Sequence, residues 1–128
     1  MDRSQKEAQV VELRQTFEAH HLMIITHQTG LTVAEISILR NQMRDAGAKF
    51  RVTKNRLAKI AIKGSKFEQL ADQFSGPTAI AVSEDPVAAA KVVSEFAKTN
   101  DKLVILGGAL DEKVLDVAGV TRHIDVGV

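Results

Sequence analysis

Apolar side chains recur along the start of the chain at helical spacing. Val10, Leu13 and Phe17 fall at i, i+3 and i+7, with Lys6, Glu7, Glu12 and Arg14 on the remaining surface, which predicts an amphipathic helix over 4–19. The pattern then changes to a short continuous apolar run, LMIIT at 22–26, expected of a buried strand. Thr32 followed by Glu35 is the signature of a capping box, and Val33, Ile36, Leu39 and Met43 give the next helix an apolar face up to Gly47. KFRVT at 49–53 alternates Phe50 and Val52 with Lys49, Arg51 and Thr53, the two-residue period of a half-exposed strand. A basic helix over 54–63 follows.

Ser65 and Glu68 read as a second capping box, opening a short helix through Leu70 and Phe74 that Gly76-Pro77 ends as a strand-opening turn. TAIAV at 78–82 is another buried strand. Asp85-Pro86 places an N-cap before a proline at the first helical position, leading into a helix over 87–98. LVILGGAL at 103–110 is the fourth strand, in which Gly107-Gly108 marks a bulge or a close approach of backbones. After the first helix the order is β-α-β, an inserted helical stretch, then β-α-β. That is the split βαβ arrangement of a ferredoxin-like α+β domain. A helix-sandwiched sheet with another strand order is the alternative. The domain is expected over 1–115, with 116–128 a short C-terminal segment that is either a tail or a sheet edge.

Composition narrows the classes of function. With 45% hydrophobic residues, five Phe and no Trp or Tyr, the chain can build one aliphatic core. The absence of cysteine excludes disulfides, thiolate metal sites and a cysteine nucleophile. No apolar run approaches the roughly 18 residues of a membrane span. The polar start, MDRSQKEAQ, is unlike a signal peptide, so the cytosol is the default compartment and no membrane partner is expected.

Charge is distributed far less evenly than the net value of +1 suggests. Between Lys49 and Lys66 there are seven bases (Lys49, Arg51, Lys54, Arg56, Lys59, Lys63 and Lys66) and no acid, which leaves ten bases against all 16 acids elsewhere. On a helix Arg56, Lys59 and Lys63 share one stripe opposite Leu57 and Ala61. Lys49 and Arg51 project from one face of the preceding strand. Strand end, turn and helix are thus expected to form one continuous positive surface, held to the core by Phe50, Val52, Leu57 and Ala61. Phosphates suit such a surface: Arg binds them bidentately, Lys as a point charge, and Asn55 at the helix start adds amide hydrogen bonds. A solvated charged face is the alternative reading, but solvated helices interleave Glu with Lys. No Tyr or Trp is available for base stacking, so recognition would rest on backbone and shape.

Other signals are weaker. His20, His21 and His27 lack metal-ligand spacing, and Gly107-Gly108 lacks the glycine and lysine pattern of a phosphate loop. Glu84-Asp85 is explained by capping. Neither an enzyme nor a cofactor is expected.

In three segments, TGLTVAEISILRNQMRDAGAKFRVTKNRLAKIAI (29–62), SGPTAIAV (75–82) and EFAKTNDKLVILGGAL (95–110), the chain resembles the N-terminal domain of the tenth large-subunit ribosomal protein family, the bacterial stalk-base proteins. Gly30-Leu31-Thr32, Leu39-Arg40, Lys54-Asn55-Arg56-Leu57 and Gly76-Pro77-Thr78 match the family pattern in order and spacing, over roughly residues 3–120. The resemblance implies a structural protein that binds large-subunit rRNA in the GTPase-associated region, beside the eleventh large-subunit protein. It also implies feedback binding to the chain's own messenger RNA. In the family a C-terminal helix carries acidic stalk-protein dimers. Here the sequence turns to TRHIDVGV instead, which puts that helix and the dimers in doubt. With the resemblance, the candidate RNA-binding residues are Gly30, Thr32, Arg40, Lys49, Arg51, Lys54, Asn55, Arg56, Lys59 and Lys63. Gly30 before the Thr32 cap would either let the N–H groups of that helix start meet a phosphate or simply make the strand-to-helix turn, and Arg40 would either reach RNA or pair with Asp45 or Glu35. The rival function is a ferredoxin-like regulatory domain that binds a small anion at the same surface.

Overall fold

A computed structural model describes residues 3–111 and 113–115. The chain runs α1 (Arg3–Ala19), β1 (Leu22–Gln28), α2 (Val33–Asp45), β2 (Ala48–Val52), α3 (Asn55–Ile62), a 3₁₀ segment (Glu68–Gln73), β3 (Thr78–Ser83), α4 (Ala88–Thr99), β4 (Leu103–Leu110) and β5 (Lys113–Leu115). The segment 116–128 lies outside the described residues.

The five strands form one sheet in the order β2-β3-β1-β4-β5, every neighbouring pair antiparallel. β3 lies between β1 and β2, and β1 lies between β3 and β4. Two βαβ units therefore interlock, the split arrangement the element order predicts. β5 adds a short strand whose three residues, Lys113-Val114-Leu115, are too few to show a period.

Strand β1 explains why LMIIT carries no alternation. Leu22 and Ile24 pack with Leu39 and Met43 of α2 and Val93 and Phe96 of α4. Met23 and Ile25 face the other way, into Leu13 and Phe17 of α1, Leu57 and Ala61 of α3, and Phe67, Leu70 and Phe74. Phe17 and Phe67 meet edge to face, ring centroids 6.2 Å apart. The sheet is thus covered on both faces. Phe50 belongs to the α2/α4 layer, while Leu57 and Ala61 belong to the α1/α3 layer, so the expected common core contact of the basic segment is split between two layers. Val52 is 42% exposed at the open end of β2, and Val33 is 83% exposed at the first turn of α2. Both had been expected inside. Leu31, just before the cap, reaches the core in place of Val33.

Backbone contact between β1 and β4 is close enough to require Gly108. A Cβ there would stand 2.5 Å from the Met23 carbonyl oxygen and 2.8 Å from Ile24 Cδ1. The pairing skips Leu106, with Ile25 opposite Gly107 and Thr26 opposite Ile105. Gly107-Gly108 therefore marks both a bulge and a close approach.

Caps follow the sequence in one place and depart from it in two. At α2 the box is complete: Glu35 N donates to Thr32 Oγ1 and Thr32 N to Glu35 Oε1, both 3.1 Å. The Ser65–Glu68 box does not form. Ser65 Oγ donates to the Ile62 carbonyl at the end of α3 and accepts from Phe67 N, while the Glu68 carboxylate accepts from Gly64 N. Burying Phe67 against Phe17 turns the chain inward where that cap would have to stand, and the segment becomes 3₁₀. Asp85 Oδ1 accepts from Val87 N and Ala88 N, so Asp85-Pro86 makes a capped turn just ahead of α4 and the proline is not the first helical residue.

Glu35 also accepts from Asn100 Nδ2 and, at 3.1 Å, from Lys102 Nζ, tying the start of α2 to the α4–β4 connection. The backbone bond from Thr32, then Lys102 and Asn100, lower the Glu35 pKa from 4.5 to about 2. A depressed carboxylate pKa stabilises the fold above its ordinary value, and that contribution disappears as pH falls toward about 2. Glu35→Gln is therefore expected to lower the urea midpoint at pH 7, with the gap to wild type narrowing as pH falls from 4.5 toward 2. Urea titrations across that range check it; a gap independent of pH would contradict it.

Candidate nucleic-acid interface

The residues predicted to bind RNA fall into three groups, set by how α1 and the sheet are placed. The first group lies at one end of the sheet. There Gln28 N bonds to Pro77 O, Thr29 N to Lys102 O and Thr53 N to Thr78 O, gathering the turns after β1 and β2 and the turn before β3. Gly30, at φ +73°, and Thr32 stand in the first of these turns, and Lys54 and Asn55 in the second. Lys54 is exposed, and among the described residues no side chain caps the first turn of α3, so its leading amides open beside Lys54. Asn55 is used differently from the expectation. Its Nδ2 donates to the Gly76 carbonyl at 2.9 Å, pinning α3 to the strand-opening turn, and its Oδ1 is buried without a hydrogen-bond partner among the described residues. Thr32 Oγ1 is likewise occupied by its own cap.

The second group is the outer stripe of α3. Leu57, Ala58, Ala61 and Ile62 are buried, and Arg56, Lys59 and, at the helix end, Lys63 are exposed. Lys54, Arg56, Lys59 and Lys63 make no ion pair among the described residues. They form a cationic run that starts at the open amides of α3 and follows its length.

The third group flanks the open edge of β2. Arg51 Nη1 lies 3.0 Å from Glu12 Oε1 of α1, whereas Arg14 on the same helix donates to the Ile60 carbonyl of α3 at 3.5 Å. Two positions apart on a helix differ by about 200°. α1 therefore lies between Arg51 and α3, which corrects the expectation of one continuous surface. Lys49, Arg51, Arg40 and Arg44 line a cleft of about 610 Å³ beside β2. Arg40 pairs with neither Asp45 nor Glu35 among the described residues, and Glu35 is engaged by Asn100 and Lys102 instead.

The basic block is acid-free in sequence but not in space. Glu12 neutralises Arg51. Lys66 stands 3.6 Å from Asp111, donates to the Glu18 carbonyl and lies over the Phe67 ring, 5.5 Å from its centroid. The hydrogen bond from His21, 2.8 Å away, is the main cause holding the Asp111 carboxyl below its ordinary range. His20 donates to Thr16 O and His27 to Ser75 O, so all three predicted histidines are engaged in local structural bonds. Among the described residues no group of three metal-ligating side chains occurs, and no helix is long and apolar enough to cross a membrane. Arg44 was missed by the sequence reading, although its four-residue spacing from Arg40 was a usable signal; Glu12 gave none.

The surface that remains free, Lys54 with Arg56, Lys59 and Lys63, can bind an extended polyanion. Its cations follow a line, and among the described residues no acid competes for them through an ion pair.

Comparison with known proteins bears on which polyanion. Residues 1–98 match the family model described as ribosomal protein L10. The chain is 60% identical over 120 residues to the large ribosomal subunit protein uL10 of Paramagnetospirillum magneticum, covering 94% of this chain and 70% of that one. It is 55% identical to that of Rhizorhabdus wittichii with the same coverage. To the protein of Parvibaculum lavamentivorans it is 51% identical over 126 residues, or 98% of this chain and 73% of the relative.

Proposed function

Because the chain belongs to the ribosomal protein L10 family, structural components of the large ribosomal subunit in the cytoplasm and not enzymes, we propose that it grips rRNA through the α3 stripe and the turn that precedes it. The observation that carries this reading is the row of free cations Lys54, Arg56, Lys59 and Lys63 beside the uncapped start of α3. Arg56 supplies a planar fork for a phosphate, the lysines supply point charges, and the leading amides of α3 add hydrogen bonds at the positive end of the helix. Gly30 sits at the same end of the sheet and would extend the contact through its own turn, whereas the amide and hydroxyl of Thr32 are held in the capping box with Glu35. With no aromatic platform, the contact reads shape and phosphate spacing. This anchors the stalk base to the GTPase-associated region of the large-subunit rRNA.

The finer partners rest on the resemblance. The eleventh large-subunit protein would stand beside the same rRNA, and the chain's own messenger would compete for the same stripe.

Salt titration tests the proposal. If about four to six phosphates are neutralised, the logarithm of affinity for an rRNA fragment of the GTPase-associated region should fall against the logarithm of salt with a slope of about −3 to −5. A flat response would exclude a phosphate-based grip. A small-anion regulatory domain predicts instead that one phosphate ion displaces the RNA at low concentration.

A further inference from the structure

From the geometry of the β2 edge we infer a second docking site: an acidic, extended protein segment adds to the sheet alongside β2, in the cleft where Arg40, Arg44, Lys49 and Arg51 converge. Among the described residues β2 is the first strand of the sheet and pairs on one side only. Thr53 N bonds to Thr78 O across to β3, so by the two-residue period Lys49 and Arg51 also turn their amides toward β3. The amides and carbonyls of Ala48, Phe50 and Val52 therefore face out of the sheet. Among the described residues they form a short row of unpaired donors and acceptors at strand spacing.

The cleft that borders this row lies between α2, which supplies Arg40 and Arg44, and α1, which supplies Glu12. Four cations against one acid give it a strongly positive rim, and Phe50 gives it an apolar floor. Charge decides the occupant. A second copy of this chain pairing β2 to β2 would set eight cations against each other. RNA satisfies the cations but cannot pair with an alternating row of N–H and C=O groups. An acidic strand satisfies both, its backbone continuing the ladder and its carboxylates meeting the arginines. This site is separate from the α3 stripe and does not depend on the RNA reading.

The test uses the whole chain and an eight-residue peptide alternating glutamate and valine, compared with the same peptide N-methylated at alternate residues. Fluorescence anisotropy should show binding of the first and at least tenfold weaker binding of the second. Amide exchange at Phe50 and Val52 should slow at least tenfold in the complex. Arg40→Glu with Arg44→Glu, both exposed on α2, should reduce affinity at least tenfold while circular dichroism stays unchanged. The inference is overturned if the acidic peptide does not bind, if the methylated peptide binds as well, or if Phe50 and Val52 remain unprotected. It is also overturned if an octanucleotide RNA displaces the peptide and itself gives that protection.

Discussion

Reversing Arg56 and Lys59 together to glutamate is expected to weaken binding to the rRNA fragment by at least about 100-fold with no loss of helix or thermal stability. Both side chains project from the outer stripe of α3 and make no ion pair among the described residues, so the folded chain loses nothing by their replacement. Each charge-assisted hydrogen bond to a phosphate contributes about 1.5–3 kcal/mol, and two reversals add repulsion to the loss of both. The control is Lys91→Glu with Lys98→Glu, on α4 across the sheet, which changes charge equally and should alter affinity far less. Filter binding and circular dichroism check the pair. If the stripe variant unfolds, the assignment of the outer face of α3 is wrong.

The second large effect is structural. Gly108→Ala is expected to cost about 3 kcal/mol or more, because its Cβ would meet the Met23 carbonyl at 2.5 Å, and backbone cannot yield as the end of a side chain does. β1 is the central strand on which both layers rest, so the displacement spreads to Ile24 on one face and Met23 on the other. At Gly107 a Cβ would stand 3.0 Å from Gln73 Oε1 and from the Leu115 carbonyl, a milder crowding to which the backbone φ of +159° adds some strain of its own. Urea unfolding should therefore rank Gly108→Ala well below Gly107→Ala in stability, and equal midpoints would contradict the close approach.

Much of this fold was legible because its signals are local. The spacing of Leu13 and Phe17, the Thr32–Glu35 box and the unbroken LMIIT run each report on residues within one or two turns, and all three match the structure. The split βαβ order was legible as well, since two β-α-β runs leave few ways to close a sheet. What could not be read depends on residues distant in the chain. Glu12 reaches Arg51 across 39 positions and Glu35 reaches Lys102 across 67, pairings with no local spacing to betray them. The sidedness of the basic segment was hidden for the same reason. Phe50 alternates correctly within its strand, but only the placement of α1 and α2 decides which layer receives it and where the cations of β2 and α3 part.

The candidate site shows the same division. Helical spacing was enough to put Arg56, Lys59 and Lys63 on one exposed stripe. The capture of Asn55 by the Gly76 carbonyl came from a turn 21 residues away. The charge count, +7 with no acid, overstated the free surface by the two cations that Glu12 and Asp111 engage.

Lysine modification read by mass spectrometry, on the chain alone and bound to the rRNA fragment of the GTPase-associated region, tests the central claim most directly. Lys54, Lys59 and Lys63 should lose reactivity in the complex while Lys91 and Lys98, exposed on α4 across the sheet, keep theirs. Protection of Lys91 and Lys98 with the α3 lysines still reactive would place the RNA on the other face and contradict the account.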